Sequence, residues 1–241
     1  MPSARVARGF VVRPELTHEV RVDGLPLVCH VRGRGPVCVV HSGGPGTHGE
    51  HLRIPLAERE LTMVYVEPAG TGTSAVLGAD ATHDLSSRVA HLHAVIRTFG
   101  AEPVFVLGRA HGGVVCQAYA LRHPDQVAGL ILCSTSPIAD ARASAATREM
   151  SRQCTVDISG AAVDARDALP SITTPTLIMT GLRDVDSAAD SAALRQGNPG
   201  AQLATFRGSA HLAHLEEPER FAHLLLEFTR RISGPVRTAQ V

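Results

Sequence analysis

The sequence predicts an α/β domain whose mostly parallel sheet is covered by helices on both faces. Short apolar runs rich in β-branched residues alternate with segments whose apolar residues recur at helical spacing. Several runs end in glycine-rich turns, as Val37–His41 and residues 104–108 do. The chain has 241 residues, the size of one large domain with a sizeable core. We therefore interpret residues 1–241 as a single domain.

Composition argues against several functional classes. Lys plus Arg and Asp plus Glu number 23 each, aromatic residues make up 3%, and Trp is absent. Nucleic-acid binding needs basic surface and stacking side chains that such a chain lacks. The sequence shows no signal-peptide core and no apolar run of membrane length. The five scattered cysteines lack the spacing of a zinc site. We expect a soluble, reduced, cytoplasmic protein without nucleic-acid or membrane partners.

The N-terminal half predicts a hairpin, two buried strands and a helix. Asp23 and Gly24 form a two-residue turn signal between β-prone segments, which favours a β-hairpin. Residues 1–12 have no clear period and predict a loose lead-in. The predicted elements are strands at 19–22, 27–32, Val37–His41 and 63–66, a short helix at 55–60, and a helix at 84–99 that Gly100 caps.

The C-terminal half continues the alternation of strands and helices. Residues 137–169 are rich in Ala and charge without a strong apolar face, and they predict one or two small helices. The tail after Ser233 predicts a frayed end. The predicted elements are strands at 104–108, 130–134, 176–180 and Gln202–Phe206, with helices from the 111 region to about 123, at 188–195, and from Pro218 onward.

Residues 104–113 read Val-Phe-Val-Leu-Gly-Arg-Ala-His-Gly-Gly, which predicts a strand, a very tight turn and a helix start. This is the outline of the nucleophile elbow, Gly-x-Ser-x-Gly, whose strained turn lifts one side chain above a parallel sheet. Gly108 and Gly112 occupy the two glycine positions of that motif. Ala110 stands where the motif has a hydroxyl. The sequence therefore predicts the frame for a nucleophile with the nucleophile position vacant.

Two further loops at predicted strand ends carry an acid and a histidine. Residues 181–184 read Gly-Leu-Arg-Asp, and residues 208–211 read Gly-Ser-Ala-His. Because ligands of parallel sheets bind beyond the carboxyl ends of the strands, these loops are expected to meet there. An acid that orients a histidine base is the generic activating pair, so Asp184 and His211 are the candidates. Asp186 is a rival for the acid, and solvated surface positions are the alternative for both.

These motifs occur in one order, and the chain from about residue 20 to 231 resembles α/β-hydrolases of the proline-iminopeptidase-like group. Residues 42–46, Ser-Gly-Gly-Pro-Gly, match the His-Gly-Gly-Pro-Gly turn of that group except at the first position. Residues 67–74 resemble its Asp-x-Arg-Gly-x-Gly-x-Ser loop, but Ala69 stands where Arg is usual. The resemblance implies a sheet of about eight strands. It also implies a reduced cap at 137–169, so aminopeptidase specificity does not carry over.

The resemblance also implies an oxyanion hole beside the elbow. One donor is the backbone N–H of His111, and the other comes from the turn at Gly43 and Gly44. In other enzymes such a donor contributes roughly 3–4 kcal/mol to catalysis. The side chain of His111 is predicted to form a pocket wall rather than to act as a base.

The remaining histidines predict no further chemistry. His211 and His214 are three residues apart, but a third ligand with suitable spacing is missing, so a metal site is not expected. We assign His41 a structural role and the other histidines to the surface. No cofactor is implied.

Ala110 leaves three interpretations of function open. A methyl group cannot attack a carbonyl, so the acyl-enzyme route is closed to the chain as written. The first interpretation is a hydrolase of an ester, lactone or amide in a small molecule that lost its nucleophile, by design or recently. The second is a lyase, isomerase or cyclase in which Asp184 and His211 form an acid–base pair and the oxyanion hole stabilises an enolate. The third is a ligand-binding protein without catalysis.

Overall fold

The computed structural model describes residues 16–22, 24–42, 49–74, 85–100, 103–137, 156–157, 162–163 and 168–234. The strands are β1 Leu16–Val22, β2 Leu25–Gly33, β3 Val37–His41, β4 Thr62–Val66, β5 Val104–Arg109, β6 Val127–Cys133, β7 Val156–Asp157, β8 Ala162–Val163, β9 Thr176–Gly181 and β10 Gln202–Phe206. The α-helices are α1 Leu85–Phe99, α2 His111–Arg122, α3 Val185–Gly197, α4 Ala213–Glu216 and α5 Pro218–Ser233.

Eight strands form one sheet in the order β1-β2-β4-β3-β5-β6-β9-β10. The strands β1, β2 and β4 pair antiparallel, and every pairing from β4 to β10 is parallel. The predicted fold class, a mostly parallel sheet of about eight strands, is confirmed. The parallel part matters for function because the segments after β3, β5, β9 and β10 leave the sheet at the same edge.

Two apolar layers cover the sheet, one on each face. The first lies against α1, α2 and α3, and the second lies against α5 and the segment between β3 and β4. Every residue of the central strand β5 is buried, which explains why it reads as a continuous apolar run rather than an alternating one. Helix α5 instead buries one stripe, with Phe221, Leu225 and Phe228 facing the sheet.

Most predicted elements are present, with shifted ends. The hairpin around Gly24 is confirmed by the antiparallel pairing of β1 and β2. The predicted helix at 55–60 is a short 3₁₀ helix, Ala57–Arg59. The predicted strand at 130–134 starts earlier, at Val127, and the predicted helix at 188–195 is longer at both ends. None of the described helices has the length and apolarity needed to cross a membrane.

The predicted cap lies largely outside the described residues. Two short strands inside it, β7 and β8, pair antiparallel. The sequence did not predict them, because segments of two residues are too short to carry a strand pattern. Since most of 137–169 is outside the described residues, the one or two small helices expected there stay a prediction. The predicted lead-in at 1–12 and the tail from 235 to 241 also lie outside the described residues.

Candidate active site

The turn between β5 and α2 has a strained backbone at Ala110. Its φ is +48° and its ψ is −124°, a conformation that a residue with a Cβ adopts at a cost of about 1–3 kcal/mol. Hydrogen bonds hold the turn in place. The N–H of Ala110 donates to the carbonyl of Cys133 at 3.0 Å, and the Thr135 hydroxyl donates to the carbonyl of Ala110 at 2.5 Å. The tight turn that the sequence predicted is therefore present, and the end of β6 and the following residue Thr135 hold it.

Close backbone contacts explain both glycines of the elbow. A Cβ added at Gly108 would lie 2.5 Å from the carbonyl oxygen of Gly112. A Cβ at Gly112 would lie 2.2 Å from the carbonyl oxygen of His41, at the end of β3. Helix α2 therefore begins in direct contact with two neighbouring strands, which places position 110 at the carboxyl edge of the sheet.

Ala110→Gly is expected to stabilise the fold. Glycine adopts the observed φ without a Cβ clash, and this relief exceeds the added entropy of the unfolded chain, for a net gain of about 1 kcal/mol. Urea denaturation measures the change. The control is Ala94→Gly within α1, where glycine should cost about 1 kcal/mol of helix stability. Equal losses in both variants would contradict strain at Ala110.

Asp184 and His211 are in direct contact. Oδ2 of Asp184 lies 2.8 Å from Nδ1 of His211, and Oδ1 accepts a hydrogen bond from the N–H of Ser187 at 3.3 Å. Burial acts to raise the pKa of Asp184, but the hydrogen bonds from Ser187 and His211 outweigh it and hold that pKa below its usual value. An ionised carboxylate only accepts, so Nδ1 of His211 donates to it, and in the neutral imidazole Nε2 is then the acceptor.

Two glutamates that follow His211 hold its loop in shape. Glu216 accepts hydrogen bonds from the N–H groups of Ala210 and Leu212, at 2.9 and 3.1 Å. Glu217 accepts from the N–H of Gly208 at 2.9 Å and from the hydroxyl of Ser209 at 2.8 Å. Sequence reasoning missed both residues. The signal in the sequence was the pair Glu216 and Glu217 directly before Pro218, the first residue of a helix, because acidic side chains at such positions often bind free N–H groups.

His111 and His41 form a buried neutral pair behind the elbow. His111 is 8% exposed and His41 is 4% exposed. Both ring nitrogens of His111, and Nδ1 of His41, have no hydrogen-bond partner in the described part of the chain. Burial and the Arg88 guanidinium lower the pKa of His111 to about 4, and burial, His111 and Arg88 lower the pKa of His41 to about 3. The other predicted oxyanion residues, Gly43 and Gly44, lie outside the described residues.

Arg109, the elbow residue directly before Ala110, is a buried cation that sequence reasoning also missed. It is 8% exposed, and its Nε has no hydrogen-bond partner among the described residues. Burial lowers the pKa of Arg109, although the neighbouring Cys133 thiol acts in the opposite direction. An arginine that ends an otherwise apolar strand was the signal available in the sequence.

The loop at 67–74 is organised by a buried carboxylate. Glu67 is fully buried and accepts hydrogen bonds from the N–H and hydroxyl of Thr73, at 2.6 and 2.9 Å. Nε2 of His30 lies 2.7 Å from Oε1 of the same carboxylate, and the His30 side chain is 18% exposed. The assignment of His30 to the surface was therefore wrong. Ala69, where related loops carry Arg, is buried in this loop.

Solved structures identify the architecture. A serine hydrolase involved in carbazole degradation, the CarC enzyme, superposes with a TM-score of 0.73 at 19% identity, covering 90% of this chain and 99% of that chain. A meta-cleavage product hydrolase from Pseudomonas fluorescens IP01 was solved as a serine-to-alanine mutant complexed with acetates. It superposes with a TM-score of 0.71 at 18% identity, covering 89% of this chain and 97% of that chain. The chain has the α/β-hydrolase fold.

Sequence relatives of this α/β-hydrolase-fold chain are hydrolases of several kinds. Residues 34–145 match the hydrolase family described as serine aminopeptidase, S33. A 2-hydroxymuconate semialdehyde hydrolase of Pseudomonas sp. (strain CF600) is 29% identical over 129 residues, 52% of this chain and 45% of that protein. A proline iminopeptidase of Thermoplasma volcanium is 27% identical over 119 residues, which are 47% of this chain and 40% of that protein. The matches therefore span less than half of each curated relative.

Within the α/β-hydrolase fold, the segments that carry the predicted residues follow the carboxyl ends of β5, β9 and β10. Ala110, Asp184 and His211 lie in these three segments, and the structure brings Asp184 and His211 into contact. The rival acid Asp186 lies in the first turn of α3, and its side chain is not among those described. Among the described residues, no group of His, Cys, Asp and Glu is placed to hold a metal ion.

Proposed function

We propose that this protein is an α/β-hydrolase-fold enzyme acting on a small molecule, with hydrolysis of an ester, lactone or amide as its parental chemistry. The contact of 2.8 Å between Asp184 Oδ2 and His211 Nδ1, at the sheet edge where the Ala110 elbow ends, carries the proposal. A histidine oriented by a carboxylate is the base that activates a nucleophile in this chemistry. Ala110 occupies the nucleophile position, so the acyl-enzyme route is closed in this chain.

Proton transfer in the proposed site follows from the tautomer. Asp184 holds the proton of His211 on Nδ1, which leaves Nε2 to take a proton from a group bound above the elbow. In a parental enzyme that group is the hydroxyl at position 110, and His211 later returns the proton to the leaving group. In the present chain the same nitrogen is free to take a proton from water or from the substrate itself.

Negative charge on the reacting carbonyl would be stabilised by backbone donors. The N–H of His111 is the first of α2, and the first N–H groups of a helix have no acceptor four residues earlier in it. The proposed oxyanion hole combines this N–H with donors from Gly43 and Gly44, for which the sequence predicts a turn. The His111 ring is buried, and protonating it there is unfavourable. This supports a role in lining the pocket rather than general-base catalysis by that ring.

The names of the relatives support a small-molecule substrate. The curated proteins that match over about half of this chain include hydrolases of hydroxymuconate semialdehyde and of hydroxy-oxo-heptadienoate, and a proline iminopeptidase. Their activities agree on bond cleavage with water and differ in the bond that is cleaved. We therefore propose hydrolysis as the ancestral reaction and leave the bond type to the assay below.

Restoring the hydroxyl tests the proposal. Ala110→Ser is expected to hydrolyse p-nitrophenyl acetate and butyrate with a burst of p-nitrophenol, since an acyl-enzyme can then form and accumulate. The unaltered protein should show no burst, and Ala110→Ser/His211→Ala should lose it because the serine then has no base. A folded Ala110→Ser variant that stays inactive on a broad panel of acyl substrates would overturn hydrolysis as the parental chemistry.

A second candidate function rests on the retained acid–base pair in a chain without the nucleophile. Asp184 and His211 keep the geometry of a working base although Ala110 offers nothing to activate. A lyase, isomerase or cyclase needs that base and an oxyanion hole, but no hydroxyl. Exchange of α-protons of small ketones and keto acids into deuterated water, lost in His211→Ala, would favour this function. An ordered ligand with neither turnover nor exchange would favour a binding protein.

A further inference from the structure

We propose that Thr17, His30 and Glu67 form a second nucleophile–base–acid arrangement, and that the Thr17 hydroxyl accepts an acyl group from an activated ester. Oγ1 of Thr17 lies 3.5 Å from Nδ1 of His30, and Nε2 of His30 lies 2.7 Å from Oε1 of Glu67. In the sheet order, β2 with His30 is separated from the elbow strand β5 by β4 and β3. The inference goes beyond the proposed function, because it uses none of the residues assigned to the site at Ala110.

Strand pairing fixes the three residues relative to one another. Thr17 on β1 stands directly opposite His30 on β2, and His30 stands opposite Tyr65 on β4. Glu67 follows the end of β4, and its N–H donates to the carbonyl of Val28 on β2 at 2.9 Å. Residues directly opposite each other on antiparallel strands have Cβ atoms about 5 Å apart on the same face of the sheet. The backbone therefore brings the hydroxyl to the imidazole without the ordering of a loop.

The Glu67 carboxylate determines which nitrogen of His30 carries the proton. Its Oε2 accepts hydrogen bonds from the N–H and hydroxyl of Thr73, at 2.6 and 2.9 Å, and from the N–H of Ser74 at 3.3 Å. Its Oε1 is the atom next to His30. A carboxylate only accepts, so Nε2 donates to it, and in the neutral imidazole Nδ1 is the acceptor for the Thr17 hydroxyl. Glu67 is thus a positioning residue that orients His30 as a base.

The nucleophile of this arrangement is open to solvent and its acid is not. Thr17 is exposed, the His30 side chain is 18% exposed, and the Glu67 side chain is fully buried. A small reagent can reach the hydroxyl, while water does not compete for the bond between Glu67 and His30. The 3.5 Å between hydroxyl and imidazole is long for a hydrogen bond, which is common for a nucleophile and its base before a substrate binds.

The reaction with an aryl ester balances on these residues. Oγ1 of Thr17 bonds to the carbonyl carbon, and its proton passes to Nδ1 of His30. The bond from that carbon to the aryl oxygen breaks, and the phenolate leaves with the electron pair. His30 then releases the proton to water, and Thr17 carries the acyl group as an ester. Because an aryl oxygen is a good leaving group, this step depends more on the base than on oxyanion stabilisation.

Mass spectrometry of the unaltered protein incubated with p-nitrophenyl acetate tests the proposal. The sequence contains no lysine, the usual competing acyl acceptor, and Ala110 leaves the elbow without a nucleophile. We expect acetylation of Thr17 over hours, much slower than a burst. Thr98 is the internal control, because it is exposed and its hydroxyl donates to the carbonyl of Ala94 at 2.9 Å instead of to a base. General-base catalysis predicts that Thr17 reacts roughly 100-fold faster than Thr98.

Three variants assign the reaction to the hydroxyl and the base. Thr17→Val keeps the shape of the side chain without its hydroxyl, so the acetyl group at this position should be lost. His30→Gln removes the base and should slow acetylation of Thr17 by roughly 100-fold. Thr17→Ser should react faster than the unaltered protein, because a primary hydroxyl is less hindered than a secondary one. Circular dichroism confirms that the variants fold.

The outcomes are independent of the proposed function, because the unaltered protein keeps Ala110. An unlabelled Thr17, or equal labelling of Thr17 and Thr98, would overturn the arrangement, and this comparison needs no variant. Unchanged labelling of Thr17 in a folded His30→Gln variant would overturn it as well. Labelled Thr17 together with an inactive Ala110→Ser variant would support the arrangement and count against hydrolysis as the parental chemistry.

Discussion

Gly112→Ala is expected to destabilise the protein by roughly 3 kcal/mol or more. Within a helix, alanine is ordinarily favoured over glycine by about 1 kcal/mol, so the sign itself is informative. Here the added Cβ would lie 2.2 Å from the carbonyl oxygen of His41 and 2.8 Å from its Nδ1. The oxygen belongs to the backbone of β3, which is hydrogen-bonded to strands on both sides and cannot withdraw. Helix α2 must therefore move away from the sheet and carry Ala110 with it.

Urea denaturation of the variant, followed by circular dichroism, measures this loss. The matched control is Gly200→Ala, because the nearest atom to a Cβ at that position is Oδ1 of Asn198, at 3.6 Å. That contact is ordinary van der Waals contact, and the control should change the free energy of unfolding by less than about 0.5 kcal/mol. A Gly112→Ala variant as stable as the control would show that α2 and β3 are not in the contact described.

The fold was predictable because its signals are local. Val37–His41 and Gln202–Phe206 have the same ends in sequence and structure, since each is a short β-prone run bounded by residues that do not extend it. The start of β6 was missed because Gly129 weakens the strand signal after Val127. In the structure Val127 pairs with Val104 across an irregularity in the ladder. Pairing with a neighbouring strand, which no local pattern reveals, extends β6 to that point.

The candidate site was predictable only where chain order determines proximity. Parallel strands deliver their following loops to one edge, so Asp184 and His211 were expected to meet, and they do. The link between His30 and Glu67 joins residues 37 apart through the pairing of β2 with β4, and nothing near His30 in the sequence indicates it. Arg109 is buried and has no acidic partner among the described residues. Its burial likewise depends on what packs around it, so it could not be predicted from its neighbours in sequence.

Acidification from pH 6.5 to pH 4 is expected to destabilise the fold through His41 and His111. In the folded protein these imidazoles remain neutral down to a pKa of about 3 for His41 and about 4 for His111. Burial is the main cause for both, and the Arg88 guanidinium adds to it. In the unfolded chain a histidine takes up its proton near pH 6.5. Between these values the unfolded state binds more protons, so the free energy of unfolding falls as the pH falls.

The expected slope is large for two side chains. Each imidazole that titrates only in the unfolded state lowers the free energy of unfolding by roughly 1.4 kcal/mol for every unit of pH within that window. Among the described residues, the carboxyl groups of Asp184 and Glu60 have a lowered pKa in the fold. They act at lower pH, because the ordinary pKa of such groups already lies near 4. A loss that begins just below pH 6.5 is therefore specific to the histidines.

Urea unfolding at half-unit steps from pH 7 to pH 4.5 measures the slope. His41→Gln/His111→Gln removes the two most strongly shifted histidines and should reduce the slope in this range. Burial also lowers the pKa values of His123 and His214, so part of the slope should remain. The control His223→Gln alters a side chain on α5 that is 71% exposed, and it should leave the slope unchanged. The single variants should each remove part of the slope. His111 follows Ala110 directly in sequence, and His41 lies against Gly112. Acid unfolding should therefore start at the elbow. The p-nitrophenol burst of the Ala110→Ser variant should then disappear as the pH enters this window. A double variant that keeps the full slope would place the titrating groups elsewhere in the chain.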